Sequence, residues 1–137
     1  MKFFGDFWAF ISIILMVAAA LRIVATGFYN KFIRGLSKKQ YRGLINTTMD
    51  VNNILQDNHV VFGVGAFISA IIHIMIMEGS FTFSFLGLLT MMTLLFIVVT
   101  GVINKFIYRD KNGEFKKIHI VMVLILIFFL ILHMSFG

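Results

Sequence analysis

The sequence predicts an all-α integral membrane protein, a four-transmembrane-helix bundle built as a duplicated helical hairpin. Three observations lead there. The chain is 60% hydrophobic and only 13% charged, with apolar runs long enough to cross a bilayer. Its basic residues concentrate in two segments between those runs. One nine-residue segment recurs, with six identical positions: Ala25-Thr-Gly-Phe-Tyr-Asn-Lys-Phe-Ile33 and Val99-Thr-Gly-Val-Ile-Asn-Lys-Phe-Ile107.

The 137 residues are expected to form a single membrane domain with helices at about 7–29, 59–77, 81–107 and 118–136, and cytoplasmic loops at about 30–58 and 108–117. The first run is interrupted only by Arg22. Lys2 ahead of it, and Ala18-Ala19-Ala20 within it, also fit a signal peptide, but the apolar stretch is long for one and the repeat favours a retained helix. In the long polar connection Ser37 can cap a short surface helix with Tyr41, Leu44 and Ile45 on one side. Asn46 to Asn58 is compatible with an extension of the next helix out of the bilayer. Glu78-Gly79-Ser80 forms a tight turn that makes the second and third spans antiparallel neighbours, and Lys111-Asn112-Gly113 turns into the fourth.

Nine of the twelve basic residues lie in the first and third connections and Lys105 stands just before the latter, so these connections are expected to face the cytoplasm and both termini to face outward. A prokaryotic cytoplasmic membrane is the expected location. The net charge of +6 reads as topology, and nucleic acid is not an expected partner; the bilayer is. The absence of cysteine excludes disulfides, thiolate-bound zinc, iron–sulfur clusters and covalent haem attachment.

All four histidines fall in two pairs, His59/His73 on the second span and His119/His133 on the fourth, each pair fourteen positions apart. At ~1.5 Å per residue the imidazoles of a pair stand roughly 21 Å apart, on one face of a helix wound at 3.5 residues per turn. The second and fourth spans run parallel, so His59 and His119 share the inner level and His73 and His133 the outer. A lone membrane histidine ordinarily bonds to backbone or to a neighbouring helix. A proton relay would enlist polar groups between its stations, yet the intervening residues are almost entirely apolar. Zinc or copper would need ligands beyond two imidazoles. Haem fits best: the porphyrin supplies four nitrogens, two imidazoles fill the axial positions, and the flat apolar macrocycle suits a cleft between helices 2 and 4. All four histidines are then axial ligands of haem iron, and the expected cofactors are two non-covalent haem b groups.

This doubled pattern resembles the di-haem transmembrane b-type cytochromes, the haem core of the cytochrome b family, and is similar to the transmembrane domain of ferric reductases and NADPH oxidases. The resemblance covers nearly the whole chain. It implies glycines at the same fourteen-residue interval on the helices without ligands, where porphyrin packs closely. Gly87 and Gly101 reproduce this on the third helix; on the first, Gly27 aligns with Gly101 and Ile13 with Gly87. It also implies a quinone or quinol at one end and other redox subunits as partners.

Gly63, one turn after His59, and Ser69, one turn before His73, leave room for a ring or serve helix packing. Phe129, a turn before His133, is placed to pack on the outer haem. Arg22 either meets a haem propionate or snorkels to the cytoplasmic surface. Lys31, Lys105, Lys116 and Lys117 surround the inner level as further propionate partners or topology signals.

The expected function is transmembrane electron transfer through two bis-histidine haems, as the cytochrome b subunit of a larger respiratory-chain redox complex rather than a complete enzyme. No catalytic residue, dinucleotide fingerprint or P-loop is present in the sequence. Two alternatives stand beside it: a stand-alone quinone-linked oxidoreductase acting on superoxide or a chelated metal, and a cofactor-free structural subunit.

Overall fold

A computed structural model describes residues 2–77, 84–108 and 114–136 of the chain. The turns expected at Glu78-Gly79-Ser80 and Lys111-Asn112-Gly113, and the expected start of the third span at Phe81, lie outside those residues. The described chain is all-α, with four long helices: α1 (Lys2–Phe28), α2 (Arg42–Met77), α3 (Phe85–Ile103) and α4 (Glu114–Phe136). Each is long and apolar enough to cross a membrane, with a mean hydropathy of 2.4 to 2.7 over its most apolar stretch. Only 6 to 22% of those stretches is buried within the protein, so most of the apolar surface faces outward. A surface of that kind needs lipid, and the chain reads as an integral membrane protein.

The repeat folds the same way twice. Both α1 and α3 run into a π-helical turn, Tyr29–Ile33 and Asn104–Tyr108, over the shared Asn-Lys-Phe-Ile sequence. The wider winding is seen in the bond from Arg34 N–H to the Tyr29 carbonyl, five residues back, at 2.9 Å. In both copies the lysine ammonium lies over the next phenylalanine ring, Lys31 on Phe32 at 5.5 Å and Lys105 on Phe106 at 5.8 Å.

The first connection is shorter than expected. Residues 42–58 are helical, so Tyr41, Leu44 and Ile45 belong to no separate surface helix; Leu44 and Ile45 stand in the first turn of α2. Ser37 acts through its carbonyl, which accepts from Gln40 and Tyr41 N–H at 3.2 and 3.0 Å. Proline is absent throughout and Gly43 sits in the tolerant first turn, so nothing in residues 42–58 stops the helix. At ~1.5 Å per residue, α2's 36 residues extend about 54 Å, beyond a hydrocarbon core of about 30 Å.

The chain separates into two compact units, Ile13–Ala66 and Met1–Ser12 with Phe67–Gly137. In the Ile13–Ala66 unit the Thr26 hydroxyl donates to the Asn52 amide oxygen at 2.8 Å, and Ile33 and Ile45 are buried. Gly65 admits α1 closely, since a Cβ there would lie 3.2 Å from Leu15 Cδ1. In the other unit α3 packs along α4, with Thr90, Thr93, Leu94, Ile97 and Leu126 buried. The Thr90 and Thr93 hydroxyls donate to the carbonyls of Leu86 and Leu89, both at 2.8 Å, so neither needs a partner from another helix.

Inward positions recur every seventh residue. On α1 and its π turn Gly5, Ser12 and Ile33 are buried, while Ala19 and Thr26 bond to α2. On α2 the series is Ile45, Asn52, His59, Ala66 and His73, the odd members buried or bonded like the even ones. Seven-residue spacing keeps these positions on one face of each helix at close to 3.5 residues per turn.

The Thr26–Asn52 bond should be measurable against a threonine bonded within its own helix. Thr26→Val is expected to lower stability by roughly 0.6 kcal/mol, most of it lost in a double-mutant cycle with Asn52→Leu, whereas Thr90→Val changes little. Unfolding in bicelles by increasing detergent reads both.

Candidate cofactor site

The four histidines are half-buried, and neighbouring helices fix how each ring is held. In the unit that contains α3 and α4, His73 Nδ1 lies 2.8 Å from the Gly5 carbonyl. A carbonyl only accepts, so Nδ1 carries the proton and the basic lone pair falls on Nε2. In the Ile13–Ala66 unit His59 Nδ1 donates in the same way to the Ala19 carbonyl at 3.0 Å. Gly5 and Ala19 are themselves fourteen residues apart on α1, so one helix presents two acceptors in step with the two histidines of α2.

The α4 histidines meet glycines. A Cβ at Gly87 would stand 3.1 Å from His133 Cε1, and one at Gly101 would stand 3.4 Å from His119 Cε1. The sequence interval Gly87/Gly101 thus puts space where two imidazole edges come against α3. His133 Nδ1 also lies 3.3 Å from Ser84 Oγ, and that hydroxyl accepts from Gly87 N–H at 3.3 Å as the N-cap of α3.

On α1 the register differs from the expected one. Gly27, aligned with Gly101 by the repeat, has open space around its missing Cβ and is exposed. Ala19 and Gly5 take the contacts that alignment gives to Gly27 and Ile13, a shift of eight residues, one heptad and one residue more. The α1 backbone, rather than an absent side chain, meets the α2 histidines.

The remaining expected residues divide. Ser69 is 4% exposed and belongs to the interior. Gly63 is half-buried with open space beside it. Arg22 is half-buried and lies three residues after Ala19, on the side of α1 that receives His59. Phe129 is half-buried, its ring 5.8 Å from that of Phe128. Lys31 and Lys105 rest on phenylalanine rings, and Lys116 and Lys117 are exposed. Three contributors escaped sequence reasoning. Gly5 and Ala19 act through carbonyls that every residue possesses, and Ser84 reads as an ordinary helix cap; the fourteen-residue interval between Gly5 and Ala19 was the one available signal.

The α2 histidines carry the tautomer that an iron-bound imidazole needs, with Nε2 unprotonated. Metal-bound histidine characteristically donates its other ring N–H to a carbonyl or carboxylate, which fixes the tautomer and the ring plane. Both α2 histidines do so here. Among the described residues no three or more His, Cys, Asp or Glu side chains gather as a metal-ion site would require. No protein-family model, curated protein or solved structure matches the chain.

The glycine contacts predict a graded series. Gly27→Ala gains helix propensity of up to ~1 kcal/mol with nothing in its way. Gly101→Ala gains less, and Gly87→Ala gains least or loses, because the His133 ring has to yield a few tenths of an ångström against its Ser84 contact. Thermal unfolding of the three variants in detergent checks the order.

Proposed function

We propose that the chain is an integral membrane electron-transfer protein that binds two non-covalent b-type haems. His73 and His133 hold the outer one, and His59 and His119 hold the inner one. The observation that carries this reading is the paired fourteen-residue interval, with Nδ1 of both α2 histidines engaged by backbone carbonyls so that Nε2 is the ligating atom. The inner pairing rests on the sequence repeat. Each haem, when bound, would supply a one-electron iron couple, held by the imidazoles of its histidine pair.

The chain's own residues have four tasks. Gly5 and Ala19 carbonyls hold the α2 imidazoles in one tautomer and one plane, and Ser84 orients His133. Gly87 and Gly101 make room for the α4 imidazoles, and Gly63 leaves space beside His59. The apolar side chains between the two levels exclude water and lower the local dielectric. Arg22 supplies a cation for a propionate one turn from the His59 level.

With the iron held by both imidazoles of a pair, substrate chemistry would fall to partners. The resemblance to the b-type cytochromes names their classes as quinone or quinol and other redox subunits, and the location proposed for the chain is a prokaryotic cytoplasmic membrane. Nine basic residues in residues 30–58 and 108–117, with Lys105 just before the latter, support a cytoplasmic side for those connections and both termini outside.

A reduced-minus-oxidised spectrum with pyridine haemochrome quantification tests the reading. Two low-spin haems per chain are expected, one for each histidine pair. His73→Ala and His133→Ala should each remove about one haem and leave the spectrum of the other. A colourless protein after expression with ample haem would overturn the reading and leave a structural subunit.

Topology has its own test, since the chain has no cysteine. Single cysteines at Lys38 and Lys117 should react with an impermeant maleimide only in inside-out vesicles, and one at Lys2 only in intact spheroplasts. The reverse pattern would invert the assignment.

A further inference from the structure

Three cations converge on an open recess of about 660 Å³ in the Ile13–Ala66 unit, lined by Lys38, Lys39, Arg42, Ile45, Asn46 and Met49. Lys38 and Lys39 come from the turn before α2, and Arg42 opens the helix. Ile45, Asn46 and Met49 follow Arg42 at helical intervals of three, four and seven, so all four share a face. Among the described residues no acidic side chain lines the recess, and none stands in the first turn of α2. Gathering three like charges costs free energy that a bound anion offsets.

The recess is also amphipathic. Ile45, 8% exposed, gives it an apolar floor, and Met49 extends that wall outward. Tyr41 and Leu44, 41 and 51% exposed, carry the apolar surface onto the outside of the same turn. A free phosphate would use only the cations. A phosphate attached to an acyl glycerol would use both parts, and this connection joins two helices of membrane-spanning length.

We propose that this recess binds the phosphodiester headgroup of an anionic phospholipid. Lys38, Lys39, Arg42 and Asn46 donate to the phosphate oxygens, and Ile45 and Met49 meet the glycerol and the first methylenes. The site rests on the membrane reading of the chain and is independent of haem.

Native mass spectrometry of the detergent-solubilised full chain, offered equal phosphatidylglycerol and phosphatidylcholine, tests it. Wild type should retain phosphatidylglycerol in preference by roughly tenfold, an effect that charge neutralisation at three basic positions removes. The Lys38→Gln/Lys39→Gln/Arg42→Gln variant, its helicity checked by circular dichroism, should fall to near parity. Lys116→Gln/Lys117→Gln, which removes two charges elsewhere, should keep the preference. Equal preference in the triple variant and wild type would overturn the site, as would loss in the Lys116/Lys117 variant, which would mark a response to net charge alone. Phosphorus NMR with inorganic phosphate separates the sources: binding of phosphate without any preference for phosphatidylglycerol would make this a free-phosphate site and overturn the lipid assignment.

Discussion

A helix backbone has no unused N–H in its middle, but its carbonyls keep a second lone pair, and the α2 histidines are held by that spare capacity. His73 and His59 each donate Nδ1–H to a carbonyl of α1 that already serves its own helix. In an apolar setting an imidazole N–H without an acceptor would be costly, so these contacts fix ring rotation, tautomer and helix register together. A slip of one residue between α1 and α2 would break both bonds. The direction in which Nε2 is presented follows from this constraint.

Small and hydroxyl-bearing residues make such approaches possible. Ser12, Ser69, Thr90 and Thr93 are buried where a soluble core would hold leucine or phenylalanine. Large apolar side chains are instead turned outward, among them Phe10, Phe85, Leu124 and Phe128. Between helices in lipid the hydrophobic effect offers little, and close packing with satisfied hydrogen bonds takes its place. Gly87 and Gly101 follow the same logic, since an imidazole edge occupies space that any side chain would claim.

Duplication produced equal local structure and unequal register. Both copies end their first helix in a π turn with a lysine lying over a phenylalanine. The α4 histidines nevertheless meet glycines that the repeat aligns with Gly27 and Ile13, whereas the α2 histidines meet Ala19 and Gly5. Backbone acceptance and side-chain absence are two ways for a helix to receive an imidazole, and the copies use one each. His73 and His133 therefore differ in their partners, a carbonyl for the first and a hydroxyl for the second.

Helix number, membrane length and the histidine interval were legible in the sequence because each depends on composition or periodicity along one helix. The 3.5-residue winding was legible for the same reason, through the spacing of His59 and His73. The α1 register was not. The repeat pointed to Gly27, but the contact is made by carbonyls, which no residue type announces, and their choice depends on how two helices slide until several bonds close at once. The start of α2 was legible only in part: Asn46 to Asn58 could be read as extending the helix, but residues 42–58 are polar enough to read as a loop, and Ile45 and Asn52 fall in line with His59 only when the seven-residue interior series is seen. Sequence by itself determined which helices form and where imidazoles stand along them. Tertiary structure alone decided which atoms of the neighbouring helices receive them, because that choice is a property of pairs of helices.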